Sequence, residues 1–405
     1  MEEKSLRITG ANTTFFNKLT NTLTRMLIPT KIGINSMKIT LKRNSMIKAY
    51  DNYKQATDEK KVELEKKYEE SYTAYLETLD KYVMDSIYKK VKNGTASDFE
   101  RDALSRYYQV TSLKDNEYNE YKYRKQKYLL ELDKETVENT TKEKIKDKYI
   151  HFYIEKMDLL YRSILKNYSI KIADTTDKFD TEKENIYNKI FYTLDEYATS
   201  ILPIKMDIEE SKNIEEIKED YEKYESYSVG KLDTKDIIEK NAILLSLSRK
   251  LFTHSIPLVV AEQCYEKLLK DTRILVQDTK MAVKREIAYV LLMNLIEEYN
   301  VKLLSTKVYW ETMQEKDNYK KFWDKYKKIS KLKEENFDEY KKQKEVLFIK
   351  DDIRKIKNQK FDYSRIIKYY KRKLLDYGAI RQIKNTCKSD KNYKGNIDIE
   401  NKVVA

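Results

Sequence analysis

The stretch SMIKAYDNYKQATDEKKVELEKKYEESYTAYLETLDKYVMDSIYKKVK, residues 45–92, decides the fold class. Within it Leu64, Tyr68, Tyr72, Leu76 or Tyr75, Leu79, Val83, Ile87 and Val91 step by three or four, and Glu and Lys fill the other faces. That is helical spacing. The stretch reads as one long helix or as a helix with a weak break near Thr57. Unbroken, it would reach roughly 70 Å at 1.5 Å per residue. So narrow a stripe must pack against a partner helix, in the same chain or in another copy.

Asn93 and Gly94 stop this helix, and Ser97 with Glu100 three residues later forms a capping box for the next. Further helices are expected over 98–132, with a softer break at 112–116, and over 136–172. The latter has a broad apolar face: Ile145, Tyr149, Phe152, Tyr153, Met157, Leu160, Ile164 and Tyr168. Thr181 and Glu184 repeat the capping signal ahead of Ile186, Ile190, Leu194 and Ile201, and Pro203 closes that helix. Toward the N-terminus, residues 11–28 set Phe15, Phe16, Leu19, Leu23, Met26 and Leu27 on one helical face. The other face holds mostly Thr and Asn, which suits protein contact better than a membrane interface. Pro29 and Gly33 break that pattern, and the alternation of Ile32, Ile34, Ile39 and Leu41 predicts a short strand or extended arm over 31–41.

An acidic stretch at 207–225, followed by 226–230, marks the best internal boundary, because beyond it the composition changes. Residues 237–304 are the most apolar part of the chain, yet Arg249, Lys250, His254 and Arg285 interrupt them, so they read as a buried helical core, with Pro257 kinking or separating two of its helices. After Val308 lysines alternate with aromatics from Trp310 to Lys333, a pattern found in single-strand nucleic-acid channels but more often in cores. A last clear helix over 363–377 ends at Gly378. Five segments follow: a basic N-terminal arm with an amphipathic helix (1–44), a long-helix bundle (45–228), an apolar helical core (229–308), a basic aromatic helical segment (309–381) and a flexible tail (382–405).

Composition agrees. Six Gly and three Pro in 405 residues are roughly 2%, against a usual sum of about 12%, and a sandwich, barrel or turn-rich α/β fold would lack its punctuation. The expected class is all-α: an elongated multi-helix bundle with long amphipathic, coiled-coil-like helices. No run of about 18 residues is free of charge, and the N-terminus has no secretory pattern. A cytoplasmic or virion-associated protein is the expectation.

The formal charge is +13, from 81 basic and 68 acidic residues. It is unevenly spread: residues 1–50 carry +7 and residues 350–405 carry +9, which leaves a body of about −3. Two basic ends on a near-neutral body suit a protein that meets phosphates or an acidic partner through its termini. The 67 Lys against 14 Arg, with abundant Ile, Asn and Tyr, are equally what an AT-rich coding sequence imposes. That style fits a phage or other mobile element. The sharpest candidate contacts are Arg365, Lys368 and Arg372 at i, i+3 and i+7 of the last helix, with Lys371 and Lys373 beside them, and Lys38, Lys42 and Arg43 near the N-terminus. Ile366, Ile367, Tyr370, Leu374 and Tyr377 form the apolar back of that last helix.

Catalytic chemistry is poorly supplied. The two cysteines, Cys264 and Cys387, and the two histidines, His151 and His254, form no metal-ligand spacing and no disulfide framework. His254 and Cys264 stand ten residues apart with Pro257 between them. The six glycines are too dispersed for a phosphate-cradling loop. Asp351 and Asp352 follow Lys350, the raw material of a metal-dependent nuclease, but a helix start favoured by acids is the simpler expectation. No catalytic, cofactor or metal residue is assigned. The expected function is a non-enzymatic structural or assembly protein, a homo-oligomer or part of a protein assembly, whose basic termini contact nucleic acid or an acidic partner. A sequence-nonspecific DNA- or RNA-binding accessory protein is the alternative, and peripheral membrane contact is not favoured.

Overall fold

The computed structural model describes residues 31–138, 143–175, 180–208, 212–227, 230–252, 256–306 and 316–379. Every regular element among them is a helix. They fall into two compact units, one up to Asn167 and one from Tyr168. The N-terminal helix expected at 11–28 and the tail from 382 lie outside the described residues, as do His254, Trp310 and Cys387.

In the first unit, α1 (Lys31–Lys54) and α2 (Asp58–Tyr82) form a helical hairpin. Thr57, extended at φ −70° and ψ 156°, precedes α2, and Asp58 and Glu59 occupy the first turn, where the helix dipole favours acids. α2 continues through a π-helical turn, Val83–Ile87, and a final turn, Tyr88–Lys92. The weak break at Thr57 is thus a reversal, and the 70 Å rod does not form. The stripe of Tyr68, Tyr72, Tyr75, Leu79, Val83 and Ile87 is buried inside the unit. The strand or arm expected at 31–41 is also corrected, because it is part of α1. Ile39, Arg43, Met46 and Ile47 recur at helical spacing and are buried, whereas Leu41, which the alternation would have paired with Ile39, is exposed.

The remaining helices close over this hairpin. Gly94, at φ +73°, ends the α2 run: its amide donates to the Val91 carbonyl (3.1 Å) and that of Thr95 to the Lys90 carbonyl (3.0 Å). Ser97 then caps α3 (Asp98–Thr111) in the expected reciprocal box with Glu100. α3 packs on α4 (Tyr118–Glu138), and α5 (Glu143–Asp174) contributes Tyr149, Phe152 and Met157 to the core. The rings of Tyr50, Tyr68 and Tyr72 all lie 5.2–6.5 Å from that of Phe152.

The second unit begins with α6 (Asp180–Ser200), α7 (Leu202–Ile208) and α8 (Lys212–Ser226). Thr181 lies inside α6, and Pro203 sits in the first turn of α7, where a missing amide costs nothing. α9 (Thr234–Leu251) packs against α8, so the helices on either side of 226–230 belong together. α10 (Leu258–Asp278), capped by Pro257, and α11 (Ala282–Glu298) complete the apolar centre, in which Leu244, Leu245, Leu268, Leu269, Leu292 and Leu295 are buried. A π-helical turn, Tyr299–Leu303, extends α11. α12 (Lys316–Ser330), α13 (Phe337–Lys357) and α14 (Ser364–Asp376) follow. α13 packs on α11 and α12, and α14 on α10 and α13.

Candidate functional site

α14 docks through Ile366, Tyr370 and Leu374, all buried, and this turns Arg365, Lys368 and Arg372 outward in a line. Arg365 stands 3.7 Å from Asp278, an exposed pair of little energetic weight. Lys371 and Lys373 are half-buried. Lys373 reaches Glu286 at 2.9 Å and lies over the Tyr289 ring, so its charge is already answered. Glu286 sits below its ordinary carboxylate range: burial opposes this, but Tyr369 and Lys373 outweigh it. In the first unit Lys38 and Lys42 are exposed on α1. Arg43 is not. It is buried, with Nε and Nη2 donating to Asp133 at 2.7 and 2.5 Å, so it has no free face to offer a phosphate. Its place between Ile39 and Ile47 on the inner face of α1 was the available signal.

The second unit also holds a cleft of about 860 Å³. Its walls come from the start of α6, the middle of α10, the π-helical turn at Tyr299, Tyr319 of α12, the end of α13 and the connection over 358–363 that leads into α14. Seven bases (Lys183, Lys267, Lys270, Arg273, Arg354, Lys355 and Lys360) face three acids (Glu184, Glu266 and Asp271). Several of the bases are committed. Lys267 lies 3.0 Å from both Glu184 and Asp271, which hold its pKa up against the opposing effect of burial. Lys355 pairs with Asp351 at 2.8 Å and donates to Asn300 at 2.9 Å. Lys270 and Lys360 are exposed and form no ion pair with any described residue.

Aromatic side chains line the same cleft. Phe361 is 42% exposed beside Lys360, its ring 4.8 Å from that of Tyr363. Tyr187 and Tyr319 are half-buried. Tyr299 is presented by the π-helical turn, a geometry frequent at functional sites. Its hydroxyl donates toward Glu262 at 3.2 Å and Glu266 at 3.4 Å, and burial with these carboxylates raises its pKa far above the usual value. Sequence reading passed over this cleft because its parts come from five helices. The tripeptide Gln359-Lys360-Phe361, just beyond the end of α13, was the one local hint.

Asp351 and Asp352 lie in the last third of α13, not at a helix start. Asp352 accepts both donors of Arg273 and the Tyr370 hydroxyl (2.8 Å), while Asp351 faces Arg354 and Lys355 at 2.8 Å each. Both carboxylates are spoken for by cations of the chain itself. Among the described residues no group of three or more His, Cys, Asp or Glu side chains is placed to hold a metal ion. Cys264 is fully buried, which pushes its thiol up to about 12 and away from the thiolate form. His151 is exposed, its Nδ1 2.9 Å from the Asp147 carbonyl. Of the aromatic stretch after Trp310, Phe322 is buried and Tyr326 stacks on Phe348 at 6.1 Å, which is packing. No described helix is long and apolar enough to cross a membrane.

Compared with protein-family models, with curated proteins and with solved structures, the chain matches none. A functional reading therefore starts from the chemistry of these surfaces. The basic aromatic cleft and the outward face of α14 are two features with unspent charge among the described residues.

Proposed function

We propose that this is a helical nucleic-acid-binding protein that takes single-stranded DNA or RNA without sequence preference, through the cleft of the second unit. The observation that carries the reading is the combination of Lys270 and Lys360, unpaired among the described residues, with the exposed Phe361 in a cleft of about 860 Å³. Lysines supply the phosphate attraction and a ring face supplies sequence-tolerant stacking. Residues 316–379 support it with 21 basic against 11 acidic side chains, a net +10. The row of Arg365, Lys368 and Arg372 offers further phosphate contacts next in sequence to the cleft wall. Fluorescence anisotropy with labelled oligo-dT and oligo-rU tests this. Affinity should fall steeply between about 50 and 200 mM salt. Phe361→Ala should cost about 1–3 kcal/mol of binding, and Lys270→Glu with Lys360→Glu should lower the salt slope by about one unit per base removed. Binding that ignores all three changes would refute it.

A second reading, self-assembly, is favoured by α11. Val283, Ile287 and Val290, at i, i+4 and i+7, are exposed beside Met281 and form an apolar stripe on the face of α11 opposite its buried side. A second copy of the chain is the proposed cover. Light scattering should show a defined oligomer that Ile287→Glu reduces to the monomer, and a wild-type monomer at all concentrations would exclude it.

A further inference from the structure

A groove of about 450 Å³ runs between α12 and α13 in the second unit, apart from the cleft residues. It arises because α12 leans on α13 through stacked rings: Phe322 and Tyr326 lie 6.3 and 6.1 Å from Phe348, which leaves the flank of both helices open. Ile329, Val346 and Leu347 form its half-buried floor. Lys325 and Lys328 stand on one bank, Lys342 and Lys350 on the other. No Asp or Glu lines the groove, and none of the four lysines pairs with a carboxylate among the described residues. Lys325, Lys328 and Lys342 are exposed and Lys350 is half-buried, so four basic charges surround an apolar strip that offers them no carboxylate.

We propose that this groove is a docking site for an acidic amphipathic helix of a partner protein, its apolar side chains on Ile329, Val346 and Leu347 and its carboxylates against the flanking lysines. Spacing supports a helix as the occupant. Lys342, Val346 and Lys350 are four residues apart along α13, a span of roughly 12 Å, which matches about two turns of an incoming helix. The apolar floor separates this from a phosphate track, because a nucleic-acid backbone would cover Val346 and Leu347 without burying them against anything apolar. The chain's own continuation has the wrong charge: Ala379 lies at the rim, and residues 380–394 hold five bases and one acid.

The test uses the full chain and a fluorescein-labelled peptide of about four helical turns, with leucine at i, i+4 and i+7 and glutamate at most other positions. It should bind saturably. Lys325→Glu with Lys342→Glu, both exposed and hence harmless to the fold, should weaken it at least about tenfold. Val346→Thr, which keeps shape while roughening the floor, should weaken it several-fold with the charges intact. Helicity by circular dichroism verifies both variants. The proposal is overturned if replacing the peptide's leucines with glutamine leaves its affinity unchanged, if oligo-dT displaces it at equal charge, or if neither variant has an effect. Because Phe361→Ala should not touch peptide binding, and Val346→Thr, which changes no charge, should not touch oligonucleotide binding, failure here and failure of the nucleic-acid reading are distinguishable.

Discussion

Arg43 and Arg273 meet their carboxylates in the same way, one in each unit. Each guanidinium sends Nε to one oxygen of an aspartate and a terminal nitrogen to the other, while a tyrosine hydroxyl, from Tyr75 or Tyr370, donates to the oxygen facing Nε. Asp133 and Asp352 are almost wholly removed from solvent. An ionised carboxylate at that depth costs several kcal/mol unless donors replace its water, and three do so here. On the arginine side burial opposes the charge of Arg273, but Asp352 outweighs it and holds the guanidinium pKa above its ordinary value. The consequence is an asymmetry between breaking and replacing the pair. Arg273→Met should lose about 3–5 kcal/mol in urea unfolding, because Asp352 keeps one donor of three. The double change Arg273→Met with Asp352→Leu should recover most of that loss. Equal instability of single and double variants would instead assign the effect to the packing of the Arg273 side chain against the Tyr363 ring.

Among the elements, α14 separates what holds the fold from what is free to bind. Its inner residues Ile366, Tyr370 and Leu374 are buried, and Gly378 at φ +66° closes it, with the Gly378 amide on the Leu375 carbonyl and that of Ala379 on Leu374, both at 2.9 Å. Leu374→Ala should therefore cost about 2–5 kcal/mol, while Arg365→Glu, Lys368→Glu and Arg372→Glu should each stay within about 0.5 kcal/mol by urea denaturation. The ending of this helix was readable in the sequence, as were the Asn93-Gly94 stop, the Ser97 and Glu100 box and Pro257 ahead of α10, because each is settled within a few residues of chain. The reversal at Thr57 was visible only as a weak break. Whether a chain bends or folds back there depends on what the two stripes find to pack on, and the answer lies in Tyr149 and Phe152, some ninety residues on. Asp352 misled for the same reason: its partners Arg273 and Tyr370 belong to α10 and α14. The cleft was least legible of all, since no local pattern joins Lys270 to Lys360.

Across the whole molecule the most unusual supply is tyrosine, 35 residues of the 405, and it sets a pH limit on stability. Burial holds Tyr72, Tyr75 and Tyr149 in the first unit, and Tyr265 and Tyr370 in the second, well above the ordinary phenol value of 10.0. Near Tyr75, Tyr149 and Tyr370 the buried aspartates add to the effect, since a phenolate beside Asp133 or Asp352 would face a like charge. In the unfolded chain these phenols ionise near pH 10, whereas in the folded chain they keep their protons. Above that pH the native state thus binds more protons than the unfolded one, and stability falls as pH rises. Their contribution is fully present below about pH 10 and is lost progressively above it. Tyrosinate absorbance recorded together with circular dichroism should resolve two steps. The first step, from rings outside the buried set, should leave helicity unchanged. The buried set should ionise only in a second, cooperative step that coincides with loss of helix. Complete ionisation of the tyrosines ahead of any loss of helix would mean that water reaches these hydroxyls in the native state, and that the buried aspartates are less enclosed than their exposures imply.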